Sequence, residues 1–192
     1  LVLSNISVPL LGMVDTAVVG RLPEPYALGG VALGASLAST LYFSFGFLRM
    51  GTTALTAQAF GASNTLELRA GLWRAFILAA LIGLCMTLAM PFLVDAGLLV
   101  FAPPAGIDLE FESYARIRLL GAPLALANVV VLGWLLGTQD SRAPLVLLIA
   151  TNVLNAVLDV TFVWGLGLGA GGVAAATVIA EAVSNAQVRA RS

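Results

Sequence analysis

Residues 154–172, LNAVLDVTFVWGLGLGAGG, place a carboxylate within an apolar run. Asn152, Asn155 and Asp159 are separated by three and four residues, so a helix carries all three on one face. A charged side chain inside a segment of membrane-spanning length costs free energy and by default marks a functional site. We therefore expect Asp159 to lie at the centre of a polar site inside a membrane helix.

The composition around this stretch is that of a membrane protein. Of the 192 residues, 60% are hydrophobic and 10% are charged, and the mean hydropathy is +1.02. Soluble domains carry about 25% charged residues, so this chain has too little polar surface to cover a globule in water. We expect a multi-pass protein of the cell (inner or plasma) membrane, in contact with membrane lipid.

Several functional classes are excluded by what the chain lacks. Its formal net charge is −1 and it has no lysine, so it offers no basic stripe for a nucleic-acid partner. It has no histidine, which removes the commonest general base and metal ligand. Its single cysteine, Cys85, lies in an apolar run and is interpreted as a small hydrophobic side chain. We therefore expect neither an enzyme nor a bound cofactor.

Six apolar segments follow one another along the chain. They cover about residues 1–22, 28–59, 75–94, 114–136, 145–164 and 173–188. Because about 20 apolar residues cross a bilayer as a helix, the pattern predicts an all-α bundle of six membrane helices in one domain, residues 1–192. The sixth segment becomes polar at Ser184 and Asn185, so we expect a truncated last helix. The first residue, Leu1, already lies in an apolar segment, which indicates a fragment.

Glycine spacing indicates where helices pack and where the chain turns. Gly30 and Gly34, and likewise Gly133 and Gly137, are four residues apart, which is typical of close helix packing in membranes. Residues 167–172, GLGAGG, formally match a dinucleotide-binding pattern. That pattern requires a preceding strand, whereas a membrane-length helix precedes it here, so we interpret these glycines as a flexible turn.

The arginines predict the orientation of the bundle. One set of segment ends carries five of them, Arg69, Arg74, Arg142, Arg189 and Arg191. The other set carries Arg21, Arg116 and Arg118. Because cytoplasmic loops are enriched in arginine and lysine, the first set is predicted to be cytoplasmic, with the N-terminus inside.

Four polar residues on three segments are predicted to reach one depth. Asp15 and Asp159 each lie about six residues before the outer ends of their segments, and Thr177 lies about five residues into the sixth segment. At 1.5 Å per residue they lie roughly 8–10 Å below the outer surface, and Asn155 lies one turn deeper. A bilayer favours mutual satisfaction of such groups, so we expect them to meet.

Two carboxylates surrounded by amide and hydroxyl oxygens suit a proton or a small hard cation such as Na⁺. The alternative is that Asp15 and Asp159 only link helices. Arg49 is the one cation that these boundaries place deep within a span, and it contacts either a substrate or a structural partner. Gln58 and the nearby threonines are favoured as helix–helix hydrogen-bonding groups, and Asn152 is a further polar candidate.

Four stretches together resemble the multidrug and toxin extrusion (MATE) transporters, in particular the DNA-damage-inducible F (DinF-like) branch. They are SNISVPLLGMVDTAVVGRL (4–22), FLRMGTTALTAQAFGA (47–62), GWLLGTQDSRAP (133–144) and NVLNAVLDVTFVWGLGLGAGGVAAATVIAE (152–181). The resemblance covers nearly the whole chain except segment three and the acidic loop that follows it, APPAGIDLEFES (102–113). It implies the N-terminal lobe of a twelve-helix protein built from two six-helix lobes.

This resemblance also implies a function. Family members export organic, often cationic, compounds in exchange for H⁺ or Na⁺, and their N-lobe ion site would correspond to Asp15, Asn155, Asp159 and Thr177. The implied partners are a small organic substrate and the missing C-terminal lobe. The family's proline in helix one would precede Leu1, and Pro9 does not take over its role.

Three other functions are weighed against drug export. A flippase-type exporter of lipid-linked or saccharide precursors would need a basic cavity, and only Arg49 offers a charge for one. An intramembrane aspartyl protease would need a Gly-x-Gly-Asp context, but Leu158 and Val160 flank Asp159. A non-transporting membrane scaffold is the third alternative.

Overall fold

The computed structural model describes residues 25–140 and 142–189, and every regular element in that part is helical. The helices are α1 (Pro25–Ser44), α2 (Phe47–Gly61), α3 (Thr65–Leu88), α4 (Met90–Phe101), α5 (Ile107–Leu120), α6 (Ala122–Gly137), α7 (Ala143–Asp159) and α8 (Gly169–Arg189). A π-helical turn, Val160–Gly165, continues α7. The all-α prediction is confirmed for the described residues.

The described helices carry a clear membrane signature. Three are long and apolar enough to cross a bilayer, Tyr26–Ser44, Thr65–Leu88 and Ala143–Gly165. Helices α5 and α6 form a fourth candidate span that is bent by 56°. Large apolar side chains such as Phe43, Phe92 and Leu99 lie exposed on the outside of the bundle, where lipid would cover them.

Segments two to four are longer or more broken than predicted. Segment two is not one helix, because a tight turn at Phe45 and Gly46 separates α1 from α2. Segment three starts earlier, at Thr65, because the Asn64 side chain accepts a hydrogen bond from the Glu67 N–H and caps α3. It breaks before Pro91, because proline is tolerated in the first turn of a helix but not in its interior.

Segment four likewise starts earlier, at Ile107, and bends between α5 and α6. Gly121 separates the two helices, and Pro123 occupies the first turn of α6. Segment five agrees closely with the prediction, since α7 and its π-helical turn cover 143–165. Segment one lies outside the described residues.

The glycine pairs pack helices closely, as predicted. A side chain on Gly34 would meet the Tyr114 ring at 2.5 Å, and Gly30 lies against the backbone of α5. Gly133 lies against Arg49 of α2 in the same way, and a Cβ on Gly137 would come within 2.5 Å of the Thr56 Cβ. The pair α1–α2 therefore runs alongside the bent pair α5–α6 in the same direction.

Helix α8 lies in the interior of the bundle, against α5, α6 and α7. Several of its alanines and valines are buried, with Ala170, Val173 and Ala174 completely so. The polar residues that suggested a truncated helix are also buried and bind α6. The Ser184 hydroxyl donates to Asn128 Oδ1 at 3.2 Å, and the Asn185 amide donates to the Leu124 carbonyl at 2.9 Å. Helix α8 covers Gly169–Arg189, starting four residues before the predicted 173–188, and the truncation of the sixth helix stays a prediction.

Candidate cation site

Asn155 and Thr177 meet between α7 and α8. The Asn155 side-chain amide donates to Thr177 Oγ1 at 3.3 Å, and that hydroxyl donates to the Val173 carbonyl at 3.0 Å. Asn155 is 1% exposed and Thr177 is 9% exposed. Helices α7 and α8 pack directly against each other at this contact. Two residues separated by 22 positions in the sequence therefore form one buried polar pair.

Asp159 lies one turn after Asn155 on the same face of α7 and is fully buried, with 0% exposure. It is the last α-helical residue before the π-helical turn, in which the Leu166 N–H bonds to the Thr161 carbonyl five residues back. Such π-helical turns are rare and occur frequently at functional sites. The carboxylate thus lies where the helix changes geometry.

Asp15, the fourth member of the predicted layer, lies outside the described residues, and its role stays a prediction. Asp159 and Thr177 lie at similar depths, and Asn155 lies one turn deeper than Asp159. Asp159 precedes Gly165, the end of the span, by six residues, and Thr177 follows the start of α8 by eight. These separations correspond to about 9 and 12 Å along the helix axes.

The glycine-rich turn is held by a carboxylate. Gly167 and Gly169 have φ values of +67° and +54°, which favour glycine. At the start of α8, the Ala170 N–H donates to Glu110 Oε2 at 3.1 Å, in a position where the helix dipole favours negative charge. The amide that a nucleotide phosphate would use is therefore occupied, and the turn is tied to α5.

The polar residues of segment two divide between packing and exposure. The Thr53 hydroxyl donates to the Arg49 carbonyl at 2.8 Å and contacts the Gly133 carbonyl at 3.0 Å, which is the predicted helix–helix role. The side chains of Arg49 and Gln58 are exposed, and no carboxylate in residues 25–140 or 142–189 forms a salt bridge with Arg49. Asn152 is half-buried on α7, three residues before Asn155.

A cavity of about 520 Å³ opens between α2 and α3. Its walls are mostly apolar, with contributions from Phe47, Leu55 and Leu78, and Gln58 also lines it. Among the described residues that line it, the charged ones are Glu67 and Arg74, which form an ion pair with a separation of 2.6 Å. The cavity is therefore not a basic one.

Sequence reasoning missed a buried ion pair. Arg118 was interpreted as an arginine at a segment end, but it is 7% exposed and binds Glu181 with two hydrogen bonds of 3.1 and 3.2 Å. Tyr42 of α1 donates its hydroxyl hydrogen to the Arg118 carbonyl at 2.6 Å. A signal was present in the spacing, because Glu181 follows Thr177 by four residues and so shares its buried face.

With this geometry established, the comparison with known proteins decides the family. The MatE family model matches residues 1–161. The chain belongs to the MatE family. It is therefore a multi-pass protein of the cell membrane, as expected from its composition.

Two curated relatives show how much of a MatE protein this chain represents. It is 48% identical over 181 residues to DNA damage-inducible protein F of Escherichia coli strain K12, covering 94% of this chain and 39% of that protein. It is 29% identical over 184 residues to the probable multidrug resistance protein NorM of Thermotoga maritima, covering 93% of this chain and 39% of that protein. The chain thus spans about two fifths of these relatives.

Solved structures share the fold of this MatE chain. A multidrug resistance MATE family transporter of the MOP superfamily in an outward-facing conformation matches with a TM-score of 0.83 at 25% identity, over 97% of this chain and 41% of that one. A crystal structure of MATE in complex with MaD3S matches with a TM-score of 0.79 at 26% identity, over 97% and 42%. The prediction of one lobe of a MATE-type bundle is confirmed at the level of the fold.

Proposed function

We propose that this chain is the cation-binding lobe of an antiporter that exports drugs or other organic compounds in exchange for H⁺ or Na⁺. The observation that carries the proposal is the buried pair Asn155–Thr177, with the fully buried Asp159 one turn away. Ionisable groups inside a membrane protein mark ion pathways and binding sites. The names of the relatives, which include probable multidrug resistance proteins, support drugs as the exported class.

The proposed mechanism couples charge neutralisation to packing. A proton or Na⁺ bound between Asp159 and the predicted partner Asp15 neutralises negative charge at this site inside the membrane. The neutralised layer packs differently against helix one, and an organic cation that preferred the charged lobe is released. A ligand shifts such an equilibrium only by its differential affinity for the two states, so the ion and the substrate must prefer opposite states.

A second lobe is part of this proposal. Because the chain spans about two fifths of its relatives, we infer that the partner against which it moves is the other lobe of the same transporter. The exported compound would then cross between the two lobes, in the manner of transporters built from parallel repeats.

The non-basic cavity favours drug export over the flippase alternative. Headgroups of lipid-linked precursors carry phosphates, which require unpaired arginines or lysines. In the cavity between α2 and α3, Arg74, the lining arginine within the described part of the chain, is already paired with Glu67. The largely apolar walls suit an organic compound better than a phosphate.

The test uses the intact protein reconstituted in liposomes and measures ion uptake driven by export of an organic cation. Asp159→Asn removes the buried charge at nearly constant volume, and we expect substrate-driven ion uptake to fall at least about tenfold, equivalent to about 1.4 kcal/mol in the barrier. Asp95→Asn is the matched control, because Asp95 is exposed on α4, and it should transport as the unmodified protein does. Undiminished coupled transport in Asp159→Asn would show that the carboxylate has no coupling role.

A further inference from the structure

A polar stripe runs along α8 beyond the candidate cation site. Thr177, Glu181 and Asn185 are separated by four residues and so lie on one face of the helix. Thr177 and Asn185 are buried, and the Glu181 side chain is only 14% exposed. Starting at the site, this face therefore offers an oxygen ligand at every turn toward the opposite end of the bundle.

The carboxylate in the middle of the stripe lies near the centre of the bilayer. Glu181 is twelve residues from the start of α8, or about 18 Å along its axis, and the hydrocarbon core is about 30 Å thick. It is one helical turn, about 6 Å, beyond Thr177. An open carboxylate at this place would be the next ligand for a cation that leaves Thr177.

Both oxygens of this carboxylate are occupied by one guanidinium group. Arg118 Nη1 donates to Glu181 Oε2 at 3.1 Å, and Nη2 donates to Oε1 at 3.2 Å. The Tyr42 ring lies 5.3 Å from the Arg118 guanidinium carbon, and the Tyr42 hydroxyl holds the Arg118 carbonyl. Three helices, α1, α5 and α8, thus fix the guanidinium in the plane where it covers both oxygens.

Stability alone does not account for this arrangement. Apolar residues of similar volume often replace a buried ion pair without loss of stability, or with a gain, because the desolvation of two charges offsets their attraction. Buried ionisable residues in membrane proteins are rare and commonly serve the transport pathway. The position of the pair, one turn from Thr177, suggests what it does there.

We propose that Arg118 is a positioning residue that masks the Glu181 carboxylate, so that the coupling ion cannot step from the Thr177 layer toward the opposite side of the membrane without substrate. The proposal rests on the proposed cation site. The Arg118 guanidinium donates to both oxygens and places a positive charge beside them, so it competes with Na⁺ or a proton for this carboxylate. The mask keeps the ion gradient from being dissipated through the lobe.

The test measures substrate-independent ion entry into liposomes that contain the intact protein. One arm follows H⁺ with a pH-sensitive dye, and the other follows radioactive Na⁺. Arg118→Gln removes the mask, and we expect ion entry in one of the two arms to rise about tenfold, the effect of a barrier lower by about 1.4 kcal/mol. Unchanged entry in both arms would overturn the proposal.

The matched control is the double variant Arg118→Gln, Glu181→Gln. It also lacks the ion pair, but it has no carboxylate to expose, so its ion entry should return to the level of the unmodified protein. If the pair were only structural, the double variant would leak as much as Arg118→Gln does. Equal leaks in the two variants would therefore reject masking.

A third variant covers the case in which Arg118→Gln does not fold. Arg118→Lys keeps the positive charge, but a single ammonium group does not cover two oxygens as the planar guanidinium does. We expect ion entry through Arg118→Lys to exceed that through the unmodified protein. Equal ion entry through the two proteins would contradict masking. If Asp159→Asn loses coupled transport but the Arg118 variants show no increase in ion entry, only the masking proposal is rejected. If Asp159→Asn keeps full coupled transport, the cation site itself is rejected.

Discussion

At the scale of single residues, Thr177 makes two hydrogen bonds through one hydroxyl group. Its hydrogen goes to the Val173 carbonyl, which leaves the oxygen to accept from Asn155. The hydrogen bond to Val173 on the same helix thereby fixes the orientation of the Thr177 hydroxyl. The Asn155 amide of α7 then donates to an oxygen that is already oriented to accept. Such a preorganised oxygen is also what a bound cation requires of its ligands.

Two substitutions of Thr177 distinguish the contribution of its hydroxyl group to stability from that of its side-chain shape. In Thr177→Val the Asn155 amide loses an acceptor in a buried position, and we expect a loss of about 1–3 kcal/mol in the free energy of unfolding. Thr177→Ser keeps the hydroxyl and should lose clearly less. Denaturant unfolding of the protein in detergent micelles compares the two, and a serine variant as unstable as the valine variant would contradict this role of the hydrogen bond.

At the scale of helices, glycine decides how closely α2 approaches α6. A Cβ added to Gly133 would lie 2.7 Å from the Arg49 carbonyl oxygen, which belongs to the backbone and has little freedom to move. Thr53 uses the same approach to contact the Gly133 carbonyl. Gly133 therefore supports both the close packing of α2 against α6 and the hydrogen bond between them.

Two alanine substitutions test this approach. Gly133→Ala should destabilise the bundle by about 1–3 kcal/mol, because the added methyl group overpacks the interface. Gly51→Ala is the control, since nothing lies within 4 Å of a Cβ at that helical position. It should be neutral or stabilise by up to about 1 kcal/mol, because alanine favours the helix. Equal unfolding free energies for the two variants would argue against close packing at Gly133.

At the scale of the whole molecule, the two ends of the bundle differ in charge. Burial of Arg118 removes it from the loop arginines and leaves Arg21 and Arg116 at the predicted outer end. The predicted cytoplasmic end keeps Arg69, Arg74, Arg142, Arg189 and Arg191. The arginine bias that predicts the orientation therefore becomes stronger.

Cysteine labelling tests the predicted orientation. In a Cys85→Ser background, Ala62→Cys places a thiol in the turn after α2, and Ala105→Cys places one before α5 at the opposite end. Both positions are exposed. A membrane-impermeant maleimide added to intact cells should label Ala105→Cys and should label Ala62→Cys only after permeabilisation. The reverse pattern would place the N-terminus outside.

Much of the architecture was predictable because it depends on composition and local spacing. Membrane location, the all-α class and the glycine contacts follow from apolar content and from residues four positions apart. The same spacing placed Asn155 and Asp159 on one face of α7. The depths predicted from the number of residues to each helix end also placed Thr177 near Asn155, and the 3.3 Å hydrogen bond confirms that contact.

The tertiary structure decided which faces of distant helices meet. Because α5 begins at Ile107, Arg118 lies in its last turn, away from the preceding loop, and there it contacts Glu181, 63 residues away. The contacts of Ser184 and Asn185 with α6 likewise turned an apparent helix end into buried polar packing. Sequence spacing specifies which residues share a helix face, but the partner of that face depends on bends and crossings that only the assembled bundle determines.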